Sequence, residues 1–304
     1  MSLSLAGRIS QHMDVMQVFD RRLVALRRAR AVAGIARVAP VLEECAERLL
    51  DRLDDTTRRF DRALEIGGRG VVAPMLKARG IGFVVSADLA PAMAAGAGGI
   101  PVAMDEEALP FAPASFDLVV ASLALHHVND LPGALIQIRR ALAPDGLFLA
   151  SLPGLGTLAP LRDALAEVEM ELRGGISPRV SPFPELRDCA GLLQRAGFAM
   201  PVADAETLML RYRSPLALYA DLRAAGEQNA VLLRDDRTPP RALLAMAAAR
   251  LPEALPLRLL VMTGWAPAEG QPRPARPGSA NVRLADALGV TENRLGGPVP
   301  KPLP

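Results

Sequence analysis

The sequence predicts a doubly wound α/β fold, a mostly parallel sheet preceded by a helical arm. Three observations predict it. A short apolar run at residues 63–66 leads into Gly67-Gly68-Arg69-Gly70 and then a helix-compatible stretch, which makes a strand–glycine turn–helix unit. Short apolar strands then alternate with helical stretches up to residue 152. Acidic residues also recur at or just after the ends of successive strands.

The elements follow in order. Residues 1–38 have a helical composition, with apolar Val15, Met16, Val18 and Phe19 and a basic stretch at 21–30. Residues 1–12 are expected to be a frayed start, and the basic stretch a solvated face. In 39–54, Leu42, Cys45, Ala46, Leu49, Leu50 and Leu53 keep helical spacing. The first strand, 63–66, precedes a helix at 71–78 with Pro74 in its opening turn, where proline is tolerated. Strands follow at 83–87, with Asp88 after it, and at 100–104, with Asp105 after it; 91–95 makes a brief helix between them. Residues 116–122 are a continuous apolar strand of the kind buried on both faces. A helix at 130–142 is stopped by the turn Ala143-Pro144-Asp145-Gly146, and a strand follows at 147–152. Beyond Pro153 come helices at 158–172 and 185–196, the second ended by Gly197, with a Gly/Ser/Pro-rich loop at 174–184 between them. A strand at 207–212, a helix capped by Ser214 and running to 225, a helix at 241–250 and a strand at 257–264 bring the total to seven strands. The chain divides into a helical arm at 1–38, a main domain at 39–266 and a Pro/Arg-rich tail at 267–304 whose last fifteen residues are expected to be disordered.

Composition removes several function classes. Half of the 304 residues are apolar, and 35 Lys and Arg nearly balance 33 Asp and Glu, with the arginines spread along the chain. Nucleic-acid binding therefore has little support. Cys45 and Cys189 are too few for a disulfide framework or a cysteine metal site, and a reducing cytoplasm fits. No apolar run reaches the roughly 18 residues of a membrane span. Arg8, His12 and Asp14 interrupt the early apolar residues, so no signal peptide is expected.

The chemistry gathers on one edge, since right-handed crossovers bring the strand C-termini to the same side. The glycine turn follows Glu65, and glycine lets the backbone approach a ligand without a Cβ in the way. Asp88 can accept hydrogen bonds from two ribose hydroxyls. Asp105 and Glu106 can accept from an exocyclic amine, with Met104 beside a flat base. Ser122, Leu123 and the rest of 122–129 stand where a reacting group would sit. Each acid alone serves equally as a cap or a surface residue; together at successive strand ends they describe a nucleoside site. His126 and His127, being adjacent, are expected to point apart. With Asp130 they make a poor metal set, and no metal is expected.

The ordered set Glu65-x-Gly67, Asp88, Asp105-Glu-Glu-Ala-Leu-Pro-Phe, Ser115-Phe-Asp-Leu-Val-Val, Leu125-His-His and Leu142-Ala-Pro-Asp-Gly resembles the S-adenosylmethionine-dependent methyltransferases with a seven-stranded α/β sheet. The resemblance covers about residues 40–152. It implies an enzyme that methylates a protein substrate with S-adenosylmethionine as cofactor, with Glu65, Gly67, Gly68 and Gly70 near the methionine moiety, Asp88 and Leu89 at the ribose, Asp105 and Glu106 near the adenine, and Ser122 and Leu123 completing the wall. His126 or His127 is then the candidate catalytic group. A narrower likeness spans most of the chain: Val18-Phe-Asp-Arg, Asp130-Leu-Pro-Gly-Ala-Leu, Gly174-Gly-Ile-Ser-Pro-Arg-Val-Ser-Pro-Phe, Gly264-Trp265 and Arg276-Pro-Gly-Ser-Ala look like the respiratory complex I assembly factors of this fold. That likeness implies arginine hydroxylation, a protein substrate such as a complex I iron–sulfur subunit, and a 174–184 loop serving as lid or substrate wall. The glycine turn departs from the family's acid-x-Gly-x-Gly-x-Gly. Either one residue is deleted, or Arg69 and Val71 replace two glycines. Arg69 opposes a sulfonium by charge but can pair with the cofactor's carboxylate. The departure favours a second reading, a non-catalytic assembly scaffold. A nicotinamide-dependent dehydrogenase is a weaker third, because the turn is not a full Gly-x-Gly-x-x-Gly.

Overall fold

A computed structural model of the protein describes residues 17–272, 282 and 284–289. The expectations for residues 1–16, for Arg276-Pro-Gly-Ser-Ala and for the last fifteen residues lie outside the described residues.

The sheet has seven strands in the order β3-β2-β1-β4-β5-β7-β6. They are β1 (Arg62–Ile66), β2 (Phe83–Asp88), β3 (Ile100–Ala103), β4 (Phe116–Ser122), β5 (Leu142–Pro153), β6 (Ala199–Arg211) and β7 (Ala254–Trp265). β1 to β5 pair in parallel; β7 runs antiparallel to both β5 and β6. Alternate residues feed two cores. Leu64, Ile66, Val119 and Ala121 pack with helices α5 (Leu131–Ala141) and α7 (Leu186–Arg195) on one face. Ala63, Leu118 and Val120 pack with α2 (Ala39–Leu50) and α3 (Val72–Ala78) on the other. The apolar stripe expected of α2 is the buried one: Leu42, Cys45, Ala46, Leu49 and Leu50.

Three local expectations change. β5 is assigned from Leu142, so the turn at 143–146 is a bulge within the strand: Phe116 pairs with Leu142 and Leu118 with Leu147. Asp145 takes the left-handed conformation there, at φ 60°. β6 begins eight residues before the expected 207, because pairing with β7 continues along its length and overrides the weak strand propensity of residues 199–206. Ser214 precedes α8 (Pro215–Ala224) in extended conformation, and its side chain makes no capping bond.

The N-terminal segment is built into the domain. The amides of Val18 and Phe19 both donate to Asn129 Oδ1 at 2.8 Å. The Asp20 amide donates to the Ala230 carbonyl, and the Leu232 amide donates to the Val18 carbonyl. Asp20 then caps α1 (Arg21–Ala31) by accepting from the Leu23 amide at 3.0 Å. α1 is thereby held against the ends of the strands, followed by a 3₁₀ segment, Val32–Arg37. Further helices are α4 (Pro91–Gly96), α6 (Ala159–Arg173) and α9 (Arg241–Ala249). From Gly270 onward the chain forms a separate unit, in which α10 (Leu284–Leu288) is described. Among the described residues, no helix is long and apolar enough to cross a membrane.

Candidate active site

The predicted acids do meet at the C-terminal edge of the parallel strands. Glu65, on β1, is fully buried; its Oε2 accepts from Ser86 Oγ at 2.5 Å, and its Oε1 has no hydrogen-bond partner. Burial pushes its pKa up from 4.5 to about 7, with the Ser86 bond opposing and the nearby Asp88 charge adding to the rise. The turn over it is tight. Gly67 has φ 65°, Gly70 has φ 90°, and Arg69 between them is a left-handed non-glycine at φ 51°. A Cβ on Gly68 would fall 1.2 Å from Glu65 Oε1, so the turn rests directly on the carboxyl.

Asp88 ends β2. Its Oδ1 accepts from the Ala90 amide at 2.7 Å, and its Oδ2 faces Arg28 Nη1 at 3.5 Å. Glu106 is fully buried and accepts from the same Arg28 nitrogen at 2.7 Å, while Arg28 Nη2 donates to the Ala124 carbonyl at 3.0 Å. Arg21 donates to Asp105 at 2.7 Å, to Glu106, and to the His127 carbonyl at 3.0 Å. Burial alone would raise the Glu106 pKa; Arg28 and Arg21 overcome it and hold that carboxyl below its usual range. The basic stretch is therefore not wholly a solvated face. Arg22 and Arg30 are exposed, but Arg28 is 1% exposed and lies within the acid cluster. The sequence carried a signal for this. Arg21, Val24, Arg28 and Ala31 recur at helical spacing, so they share one side of α1.

The second half of the site lies beyond Arg69. Ser122 ends β4 and is buried. Leu123 follows at φ 49°, and its carbonyl accepts from Arg69 Nη2 at 3.2 Å. The 3₁₀ turn Leu125–His127 then buries both imidazoles. The rings do not diverge as expected: their centroids are 4.2 Å apart and tilted by 49°, and both approach Glu227. His126 Nε2 lies 2.7 Å from Glu227 Oε2, and His127 Nδ1 lies 3.8 Å from the same oxygen. Arg69 pairs with the other oxygen, Oε1. Burial, reinforced by His126, drives the His127 pKa well below 6.5. Burial would raise the Glu227 pKa, but His126 and Arg69 hold it well below 4.5. Asp130 takes no part; it caps α5 by accepting from the Gly133 amide at 2.9 Å. Leu89 is half-buried on the turn after β2. Glu227 carried no motif in the sequence.

A cavity of about 610 Å³ opens on this second half. Arg69, Leu123, His126, His127 and Glu227 line it, and the 174–184 loop supplies Arg179, Val180, Ser181 and Phe183 as a further wall. That wall is anchored. Glu169 accepts from the Ser177 amide at 3.0 Å and from Arg179 Nη2 at 2.5 Å, and Asn229 Nδ2 donates to the Pro178 carbonyl at 2.8 Å.

Residues 64–150 match the methyltransferase domain family. The arginine-hydroxylase NDUFAF5, mitochondrial, of Danio rerio is 35% identical over 287 residues, covering 89% of each chain. The Homo sapiens protein of the same name is 38% identical, covering 83% of this chain and 77% of that one. The chain belongs to this family. The likeness covers far more of the chain than residues 64–150. A malonyl-[acyl-carrier protein] O-methyltransferase of Halorhodospira halophila is also 35% identical, over 75% of this chain and 77% of that one. Identity alone therefore does not choose between the two chemistries. In fold, the YcgJ protein from Bacillus subtilis superposes with a TM-score of 0.51 at 15% identity, covering 73% of this chain and 99% of that one.

The cofactor of the methyltransferase domain is S-adenosylmethionine, and the family member's residues fit it in kind. Carboxylates stand at the ends of β2 and β3, a glycine turn leaves no room for a Cβ, and Glu65 keeps a buried oxygen unpartnered. Arg28 and Arg21 hold those carboxylates within the protein.

Proposed function

We propose that this chain modifies an arginine side chain of a protein partner, by hydroxylation, in the assembly of respiratory complex I; dioxygen would supply the inserted oxygen atom, and an external two-electron donor with two protons would reduce the other to water. The observation that carries the reading is the cavity beside His126 and Glu227, walled by the 174–184 loop in a chain alike to the NDUFAF5 hydroxylases along most of its length. A pocket of that volume admits one long side chain from a docked partner. Asp88, Glu106 and Glu65 would hold S-adenosylmethionine once Arg28 exchanges its partners; that group supplies an electrophilic methyl on a sulfonium. His126 and Glu227, hydrogen-bonded to each other, would meet a group entering the cavity. Leu123, Leu161 and Phe183 exclude water from its walls. An iron–sulfur subunit of the complex is the proposed substrate, and a reducing compartment such as the cytoplasm suits two buried free thiols, Cys45 and Cys189. The relatives named above are enzymes, so the scaffold reading is not favoured.

The test is to co-express the chain with complex I iron–sulfur subunits and examine their arginines by mass spectrometry. One added oxygen, absent with Glu227→Gln, is the expected result. An added methyl group would make the chain a methyltransferase, and unmodified arginines would overturn both chemistries.

A further inference from the structure

We propose that His126, His127 and Glu227 form a binding site for one divalent first-row transition-metal ion, with its open positions facing the cavity. Two imidazoles and one carboxylate make the three-ligand face that such ions accept, and that non-haem iron oxygen chemistry uses. One ligand atom from each residue lies within 4.8 Å of the others. Ligand atoms bound at about 2.1 Å to one ion stand roughly 3–3.5 Å apart. The separations of 2.7 Å and 3.8 Å from Glu227 Oε2 to the two rings bracket that range.

The surroundings support the assignment. The carboxylate divides its work: Oε1 carries Arg69, and Oε2 alone faces the rings. Arg69 thus orients the carboxylate from outside, as partners of metal-ligating groups do, without occupying the ligand oxygen. His127 is held by the edge of Phe19 at a centroid distance of 5.1 Å, and its own carbonyl accepts from Arg21. The N-terminal strap and α1 therefore fix the ring. His126 and His127 lie on the turn after β4, whereas Glu227 follows α8, so the face is assembled from two distant parts of the chain. All three residues line the cavity, which leaves the side opposite the protein ligands open to a small molecule or a substrate group. An ion there would replace the contact between His126 and Glu227. The proposal deepens the hydroxylation reading but rests on this geometry alone, so metal bound without hydroxylation leaves it standing while that reading fails.

The test titrates chelator-treated full-length protein with Co²⁺ alone, read by visible absorption and calorimetry. One equivalent should bind, and both Glu227→Gln and His127→Phe should weaken it by at least about tenfold, the loss that removal of even an outer partner brings. His127→Phe keeps the ring packing against Phe19, so a folded variant is available if Glu227→Gln, deprived of the Arg69 pair, does not fold. Circular dichroism reports that difference. No Co²⁺ binding by folded wild-type protein, or binding unchanged in the folded variants, would overturn the proposal.

Discussion

The two halves of the site are built on opposite plans. At the ends of β2 and β3, charges are paired inside the protein: Arg28 is surrounded by Asp88, Glu106 and the Ala124 carbonyl, with almost no solvent exposure. At the end of β4, His126, His127 and Glu227 share one oxygen and face about 610 Å³ of open space. The first half is satisfied by the chain itself, and the second is left to be satisfied from outside. Both depend on segments beyond the sheet. α1 closes the one, and the 174–184 wall with Glu227 frames the other. The contacts on the two sides of Arg69 thus differ, and they distinguish what each half can bind.

The largest expected effect breaks the closed half. Arg28→Ala leaves Asp88 buried without its cation and Glu106 with Arg21 alone, and should cost about 3–5 kcal/mol of stability, read by chemical denaturation. Loss below about 1 kcal/mol would mean that the acids are solvated or protonated.

Glu65→Gln sharpens the same half from beneath. The folded-state pKa is raised, so the carboxyl's penalty is absent below the unfolded value of 4.5, grows as the pH rises and is complete above about 7. The variant should be more stable than wild type by on the order of 2 kcal/mol near pH 8, and the gain should vanish near pH 4. An equal difference at both pH values would contradict the assignment. Gly68→Ala, which drives a methyl group into the Glu65 carboxyl, should cost about 1–3 kcal/mol. Adding Glu65→Ala to it should recover part of that loss, because the two sites are in contact.

The smallest effect concerns the cavity wall. Burial opposes ionisation of Glu169, but bonds from Arg179 and Ser177 hold its pKa down at about 2. Its contribution is therefore present above the unfolded value of 4.5 and is lost as the pH falls from there toward about 2. Hydrogen exchange should show the 174–184 loop loosening through that interval before the sheet does. Simultaneous loosening would make the wall an integral part of the core.

Much of the closed half was legible because strands buried on both faces announce themselves. β2 opens on the apolar run Phe83-Val84-Val85, and the acids follow fixed strand ends. What filled that half was harder to see. Arginines on a helix suggest solvent, and the shared face of Arg21, Val24, Arg28 and Ala31 reveals its burial only when the two apolar members are counted with the charged ones. β6 was under-called because residues 199–206 form a strand through pairing with β7 and not through their own propensity. Glu227 was missed for a different reason. It lies in a loop after α8, and long-range contacts bring that loop to the histidines: the backbone pairing of 18–20 with 230–232 and the bonds from Arg27 to the Gln228 and Asn229 carbonyls. The histidines themselves were misjudged by assuming a regular helix or strand, whereas a 3₁₀ turn lets neighbouring rings converge.

The central claim is that Arg28 and the cofactor's nucleoside use the same carboxylates. Calorimetric titration with S-adenosylhomocysteine tests it most directly, comparing wild type, Arg28→Met and Asp88→Ala. Arg28→Met should bind at least about tenfold more tightly than wild type, equivalent to about 1.4 kcal/mol, and Asp88→Ala should bind more weakly. Binding by folded Arg28→Met that is no tighter than wild type would contradict the claim.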